Sequence, residues 1–146
     1  MSVPNRKATR EAFAALLTTA LVNSNLCQAV YAYQPADFGG QSPVATVSAL
    51  GSERVRRTQR GSENTFYFSV HVFALYSDRG DWDELDAENA IDNIEQAIAK
   101  TVDDNAATSW ANLTIDDRTA ADSVEVGGNE YRREIIVVKA VVFDKR

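Results

Sequence analysis

Hydrophobic and polar residues alternate most clearly between Asn64 and Leu75, and the period of the pattern changes shortly afterwards. Phe66, Phe68, Val70, Val72 and Ala74 fall on one face of an extended strand. Tyr67, Ser69, His71, Phe73 and Leu75 fall on the other, so neither face is wholly polar. After a short turn, Leu85, Ala87, Ala90, Ile91, Ile94, Ala97, Ile98 and Val102 recur at about 3.6-residue spacing, which predicts an amphipathic helix. Asp81 and Glu84 have the spacing of residues that cap each other's amides at a helix start. This helix is expected to lie on the Phe66 face of the sheet.

The remaining elements follow from weaker patterns. A first helix is predicted over Thr9 to Val22, with Thr9 as N-cap and Phe13, Leu16, Leu17, Ala20 and Leu21 as its buried stripe. The polar residues before it, Met1 to Ala8, read as a flexible N-terminal arm. Asn23 to Asn25 end the helix, QAVYAYQ is a short strand, and PADFGGQSP is a loop. Val44 to Val55 is a second strand, joined through RRTQRGSEN to the central strand as an extended hairpin. Trp110 to Ile115 is another strand and Asp116 to Asp122 a polar loop, with SVEV a candidate further strand. GGN then turns into YRREIIVVKAVVF. There Ile136, Val138, Ala140 and Val142 share one face, and Ile135, Val137, Val141 and Phe143 share the other with Lys139.

The pattern predicts a single α+β domain over residues 1–146: one mostly antiparallel sheet with two helices on one face, in the order α-β-β-β-α-β-β. Two helices cover only one face of such a sheet. The second apolar face is therefore expected to curl or be covered by loops, to form a subunit interface, or both.

Composition narrows the function classes. At 146 residues the chain can bury a core without disulfides or metals. Its net charge of −6 opposes non-specific contact with nucleic acid or anionic membrane. Cys27 is the single cysteine, which excludes an internal disulfide and a cysteine-based zinc site. Arg6, Lys7 and Arg10 before AFAALLTTALV superficially resemble a signal peptide. Glu11 and the threonines interrupt the stretch, no cleavage site follows, and it is too short to span a bilayer. A soluble chain made in the cytoplasm is expected.

Candidate chemistry is sparse. His71 is the only histidine, and in a strand that residue is more often packed than catalytic. Gly39-Gly40 and Gly127-Gly128 read as turn glycines, without the lysine or spacing of a phosphate loop. No nucleophile elbow or calcium loop is present. No enzyme activity, metal or cofactor is expected.

Charge is segregated instead. Ten acidic residues lie between Asp78 and Asp104 against only Arg79 and Lys100. The helix dipole explains acids in the first turn, less readily the rest. Arg54, Arg56, Arg57 and Arg60 cluster at the presumed hairpin tip, offset only by Glu53. They could contact nucleic acid, keep the hairpin soluble, or meet the acidic helix of a neighbouring subunit. The last contact would join Arg54, Arg56, Arg57 and Arg60 to Asp83, Glu84, Glu88, Asp92 and Glu95 of the next copy, a heterologous arrangement that can close into a ring.

Several stretches together resemble one family. The helix TREAFAALLTTALV, the segment VYAYQPAD, the charged hairpin RVRRTQRGSEN and the strand TFYFSVHVFALYSDRGDWDE carry the likeness. So do the helix NAIDNIEQAIAKTV and the closing GGNEYRREIIVVKAVVF. In order, lengths and pattern they resemble the tail terminator, or tail completion, proteins of long-tailed bacteriophages. The resemblance implies a structural virion protein, made in the host cytoplasm, whose ring, usually hexameric, ends tail-tube growth. Its implied partners are its own copies, the tail tube protein and the head-side connector or neck protein, with DNA only passing through the lumen. Neck and head-closure adaptors are similar in size and role. A different class, a small-ligand cup lined by Trp82, Trp110 and Tyr67, would instead place His71 in a closed apolar cavity.

Overall fold

The computed structural model describes residues 5–58, 61–75, 84–105, 112–115 and 120–143. Helix α1 runs Arg6–Leu17 and continues as a π-helical turn over Thr18–Val22. Strands β1 (Ala29–Tyr31), β2 (Val44–Thr58) and β3 (Gly61–Leu75) precede helix α2 (Glu84–Asp104). Strands β4 (Asn112–Ile115), β5 (Ala120–Val126) and β6 (Asn129–Phe143) complete the order α-β-β-β-α-β-β-β. The fold is α+β, as expected. β5 is the candidate strand, extended backwards into residues expected to form a loop.

The six strands form one curled, mostly antiparallel sheet in the order β1-β2-β3-β6-β4. β5 pairs along the other half of the β6 edge that β4 occupies. β1 joins β2 in parallel, and every other pairing is antiparallel. Strands β2 and β3 are each 15 residues long, about 50 Å at roughly 3.3 Å per residue. They remain paired to Thr58 and Gly61, so the hairpin extends further into the charged stretch than hydrophobic alternation indicates.

The first helix starts earlier than expected. Asn5 supplies the N-cap, its side chain accepting from the Ala8 amide at 3.0 Å. Thr9 instead donates its hydroxyl to the Asn5 carbonyl at 2.9 Å. Asparagine is at least as good a cap as threonine, and Arg6-Lys7-Ala8 are strong helix formers, so the arm reading fails for residues 6–8. Residues 1–4 and the predicted cap Asp81 lie outside the described residues. The hydroxyls of Thr18 and Thr19 bond back to the carbonyls of Ala14 and Ala15 where the α-helix gives way to the π turn.

The core follows the two periodicities. Phe66, Phe68, Val70, Val72 and Ala74 are buried against Ala87, Ile91, Ile94, Ile98 and Val102 of α2, as expected, and against Phe13, Leu17 and Leu21 of the first helical stretch. Leu85 is the exception among the expected helix positions, 66% exposed at the start of α2. Cys27 is buried in this core, and burial pushes its thiol pKa up to about 12.

The second face carries a smaller cluster of Phe38, Val44, Phe73 and Tyr131. Phe38 comes from the loop between β1 and β2 and packs on Phe73 with ring centroids 4.8 Å apart. That loop is tied down where Ser42 accepts the Leu75 amide at 2.8 Å and Pro43 accepts that of Gln28 at 2.8 Å. Loop coverage thus accounts for one end of this face. Further along it, Tyr67, His71, Ile135, Val137 and Val141 are only half-buried.

Candidate functional site

The expected interface residues divide between two regions of the sheet. Arg54, Arg56 and Arg57 lie in β2, and Glu84, Glu88, Asp92 and Glu95 lie in α2. Arg60 and Asp83, together with Trp82 and Trp110, fall outside the described residues, as do the side chains of Arg56, Arg57 and Glu84.

Arg54 is turned onto its own hairpin. It donates to the Asn64 carboxamide oxygen at 3.1 Å, and its guanidinium carbon sits 5.2 Å from the centre of the Phe66 ring. Asn64 in turn donates to the Val142 carbonyl at 3.2 Å, tying the arginine to the β3–β6 pairing. Arg54 therefore braces the outer part of the hairpin, a role its place in an arginine run conceals.

The acids of α2 are drawn into a cross-layer network that the sequence order hides. Alternation along β6 puts Arg132 and Glu134 on the helix-covered face, among strands that are otherwise apolar there. Arg132 pairs with Glu88 at 2.7 Å, both side chains partly exposed. Glu134 is half-buried beside Glu88, Asp92 and Glu95, and its Oε2 atom has no hydrogen-bond partner. Burial, then repulsion from Glu95, Asp92 and Glu88, raises its pKa above the usual carboxylate range, with Arg132 opposing.

That shift gives a signed prediction. A carboxyl whose folded-state pKa is raised favours folding as pH falls through the raised value, and disfavours it at neutral pH. Glu134→Gln removes the charge and offers two donors to the surrounding carboxylates. It is expected to raise stability at pH 7 by up to about 1 kcal/mol, with the gain shrinking at pH 4. Denaturant midpoints of both proteins at the two pH values check this. A loss of stability at pH 7 would show that the carboxylate is wanted there.

On the opposite face, Asp122 of β5 stands directly across from Arg133 of β6. The pair is bidentate, with Arg133 donating from Nε at 2.9 Å and from Nη2 at 2.6 Å. The Arg133 hydrogen bond holds the Asp122 carboxyl below the usual carboxylate range. His71 is half-buried against Phe73, and burial, followed by the charge of Arg133, lowers its pKa, with Asp122 opposing. A lowered pKa keeps the ring neutral at physiological pH.

A groove of about 480 Å³ lies between the turn after the first helix and the start of α2. Asn25, Leu26, Pro43, Asp86, Asn89, Ala90 and Asn93 line it, and His71 and Tyr67 do not. It is open and amide-rich, unlike the closed apolar cavity a small-ligand cup requires. Among the described residues no cluster of three or more histidine, cysteine or acidic side chains could hold a metal ion. No described helix is long and apolar enough to cross a membrane.

The two charge regions lie on different strands and at opposite strand ends. Arg54 is level with Asn64 of β3 and, through it, with Val142 of β6, whereas Glu134 lies eight residues back along β6. Eight residues correspond to roughly 25 Å along a strand. No family model matches the chain, and no curated protein does. What the site can do therefore rests on its charge and geometry.

Proposed function

We propose that this chain is a structural, ring-forming protein of a phage tail, ending tube growth at the head-proximal end and offering a docking surface to the head-side connector. The observation that carries the reading is the separation of charge on a rigid sheet. Acids from α2 and β6 gather at one end of the fold, and arginines of β2 lie at the other end, roughly 25 Å away along the strands. Within one chain these regions are too far apart for direct pairing. Between copies they suit a head-to-tail contact, the kind that closes into a ring when the rotation permits.

The sequence resemblance supplies the identity of the ring, and the α+β order agrees with it. The groups named above act here as contact surfaces, with DNA passing through the lumen without being read. A neck or head-closure adaptor would use the same charge separation at an adjacent level of the same assembly. Adding the purified chain to polymerising tail tube protein separates the two. A terminator is expected to stop tubes at the length present on addition, seen by electron microscopy. Tubes that keep elongating in its excess would contradict the terminator reading.

A further inference from the structure

The part of the second sheet face that the Phe38 loop leaves open holds an unpaired cation among apolar side chains. The β3–β6 register sets Tyr67 opposite Lys139 and His71 opposite Ile135, with Val137 and Val141 on either side of Lys139 on the same face. All six side chains are half-buried, and neither core cluster includes the apolar ones. Lys139 pairs with no carboxylate among the described residues. A wholly apolar partner laid on this face would strand that ammonium away from water. The partner that fits brings apolar contact together with a carboxylate.

The outer side of α2 supplies both. Leu85, Asn89, Asp92 and Gln96 recur at helical spacing opposite the buried stripe, and all four are exposed. Leu85 is one of three large apolar side chains exposed among the described residues. Asp92 stands in a crowd of like charge with Glu88, Glu95 and Glu134, where Arg132 pairs with Glu88. A cation arriving from outside would relieve that crowding. The stripe from Leu85 to Gln96 is about 16 Å long at 1.5 Å per residue. The open stretch of β6 from Ile135 to Val141 is roughly 20 Å, long enough to take it. Within one chain the two surfaces lie on opposite sides of the sheet, so they can meet only between copies.

We propose that the exposed stripe of α2 of a second copy packs on this open sheet face, with the neighbour's Asp92 paired to Lys139 and its Leu85 set among the apolar side chains. The sheet then carries a helix layer on both faces, the arrangement that a sheet apolar on both sides requires. The contact joins two different surfaces, so it repeats from copy to copy and closes where the rotation permits. The open face runs on into the hairpin that bears the arginines, so this contact lies beside the charge contact of the ring reading rather than replacing it. It deepens that reading and rests on it only for the statement that the chain self-associates.

The test measures self-association of the full chain by sedimentation velocity and native mass spectrometry, with Lys139→Glu, Asp92→Lys, both together, and Leu85→Ser. Circular dichroism checks that each variant folds. Each single variant is expected to raise the dissociation constant at least about tenfold, and Lys139→Glu with Asp92→Lys in one chain to restore assembly. The unaltered chain gives a second readout that no variant can spoil. A carbodiimide, which joins an amine to a carboxylate in direct contact, is expected to link Lys139 to Asp92 in multimer bands and not in the monomer band. A dimer indifferent to Asp92→Lys and Leu85→Ser would mean that two open faces pack on each other, and overturns the proposal. A chain that stays monomeric at every concentration overturns it too. Closed rings that survive both single charge reversals sink the helix-on-sheet contact and leave the ring. Open chains that the single reversals break up support the contact and sink the ring.

Discussion

Phe68→Ala is expected to lower the stability of the fold by about 3–5 kcal/mol, a large part of the roughly 5–15 kcal/mol that holds a domain together. Phe68 is fully buried in the middle of β3, between Ala49 of β2 and Val138 of β6. It stacks with Phe13 of α1 at 6.4 Å and lies 6.4 Å from the Phe66 ring. Removing it leaves a cavity at the point where α1 and the central strands converge, and the surrounding β-sheet cannot collapse to fill it. Leu85→Ala is the matched control, because Leu85 is 66% exposed and its loss should change stability by less than about 0.5 kcal/mol. Chemical denaturation of both variants checks the pair. A Phe68→Ala protein within about 1 kcal/mol of the parent would mean that the core is centred elsewhere.

The second large effect is on assembly. Reversing charge with Arg56→Glu and Arg57→Glu is expected to abolish ring formation and attachment to the tail while leaving the monomer folded. These residues lie in the outer half of the hairpin, beyond the reach of β1. Arg54 is the wrong residue to reverse, since its bond to Asn64 and its contact with the Phe66 ring brace the hairpin itself. Two like charges facing the acidic side of a neighbour should raise the dissociation constant by about a hundredfold or more. Native mass spectrometry reads the oligomer and circular dichroism the fold. Unchanged assembly would sink the charge-contact account.

Much of the fold was legible because its central elements bury one clean stripe each. The period-2 run of β3 and the 3.6-residue run of α2 both point at the same core, and the register confirms it. β5 was only half visible, since AADSVEV is an exposed edge strand in which just Val124 and Val126 pack inward. Its pairing is held by backbone bonds, the Asp122–Arg133 pair and the Gly127-Gly128 turn. Both glycines there have positive φ, as a two-residue hairpin turn requires, and a Cβ on Gly127 would also meet Asp37 at 2.7 Å. The start of α1 was misplaced because two plausible caps, Asn5 and Thr9, stand one turn apart.

The candidate site was less legible for a physical reason. Charge runs show in sequence, but their partners come from other layers. Glu88 finds Arg132, and Glu134 joins the acids of α2, only once β6 passes beneath that helix. Arg54 looks equivalent to Arg56 and Arg57 in the sequence, yet the β2–β3 register sets it directly across from Asn64, to which it donates.

The measurement that tests the central claim most directly is negative-stain electron microscopy with native mass spectrometry, on the purified chain at rising concentration and then with tail tubes added. The account predicts closed rings of one size with an open lumen, six-fold if the resemblance holds, seated on one end of the tubes. Monomers that ignore the tubes, or open fibres that never close, would contradict it.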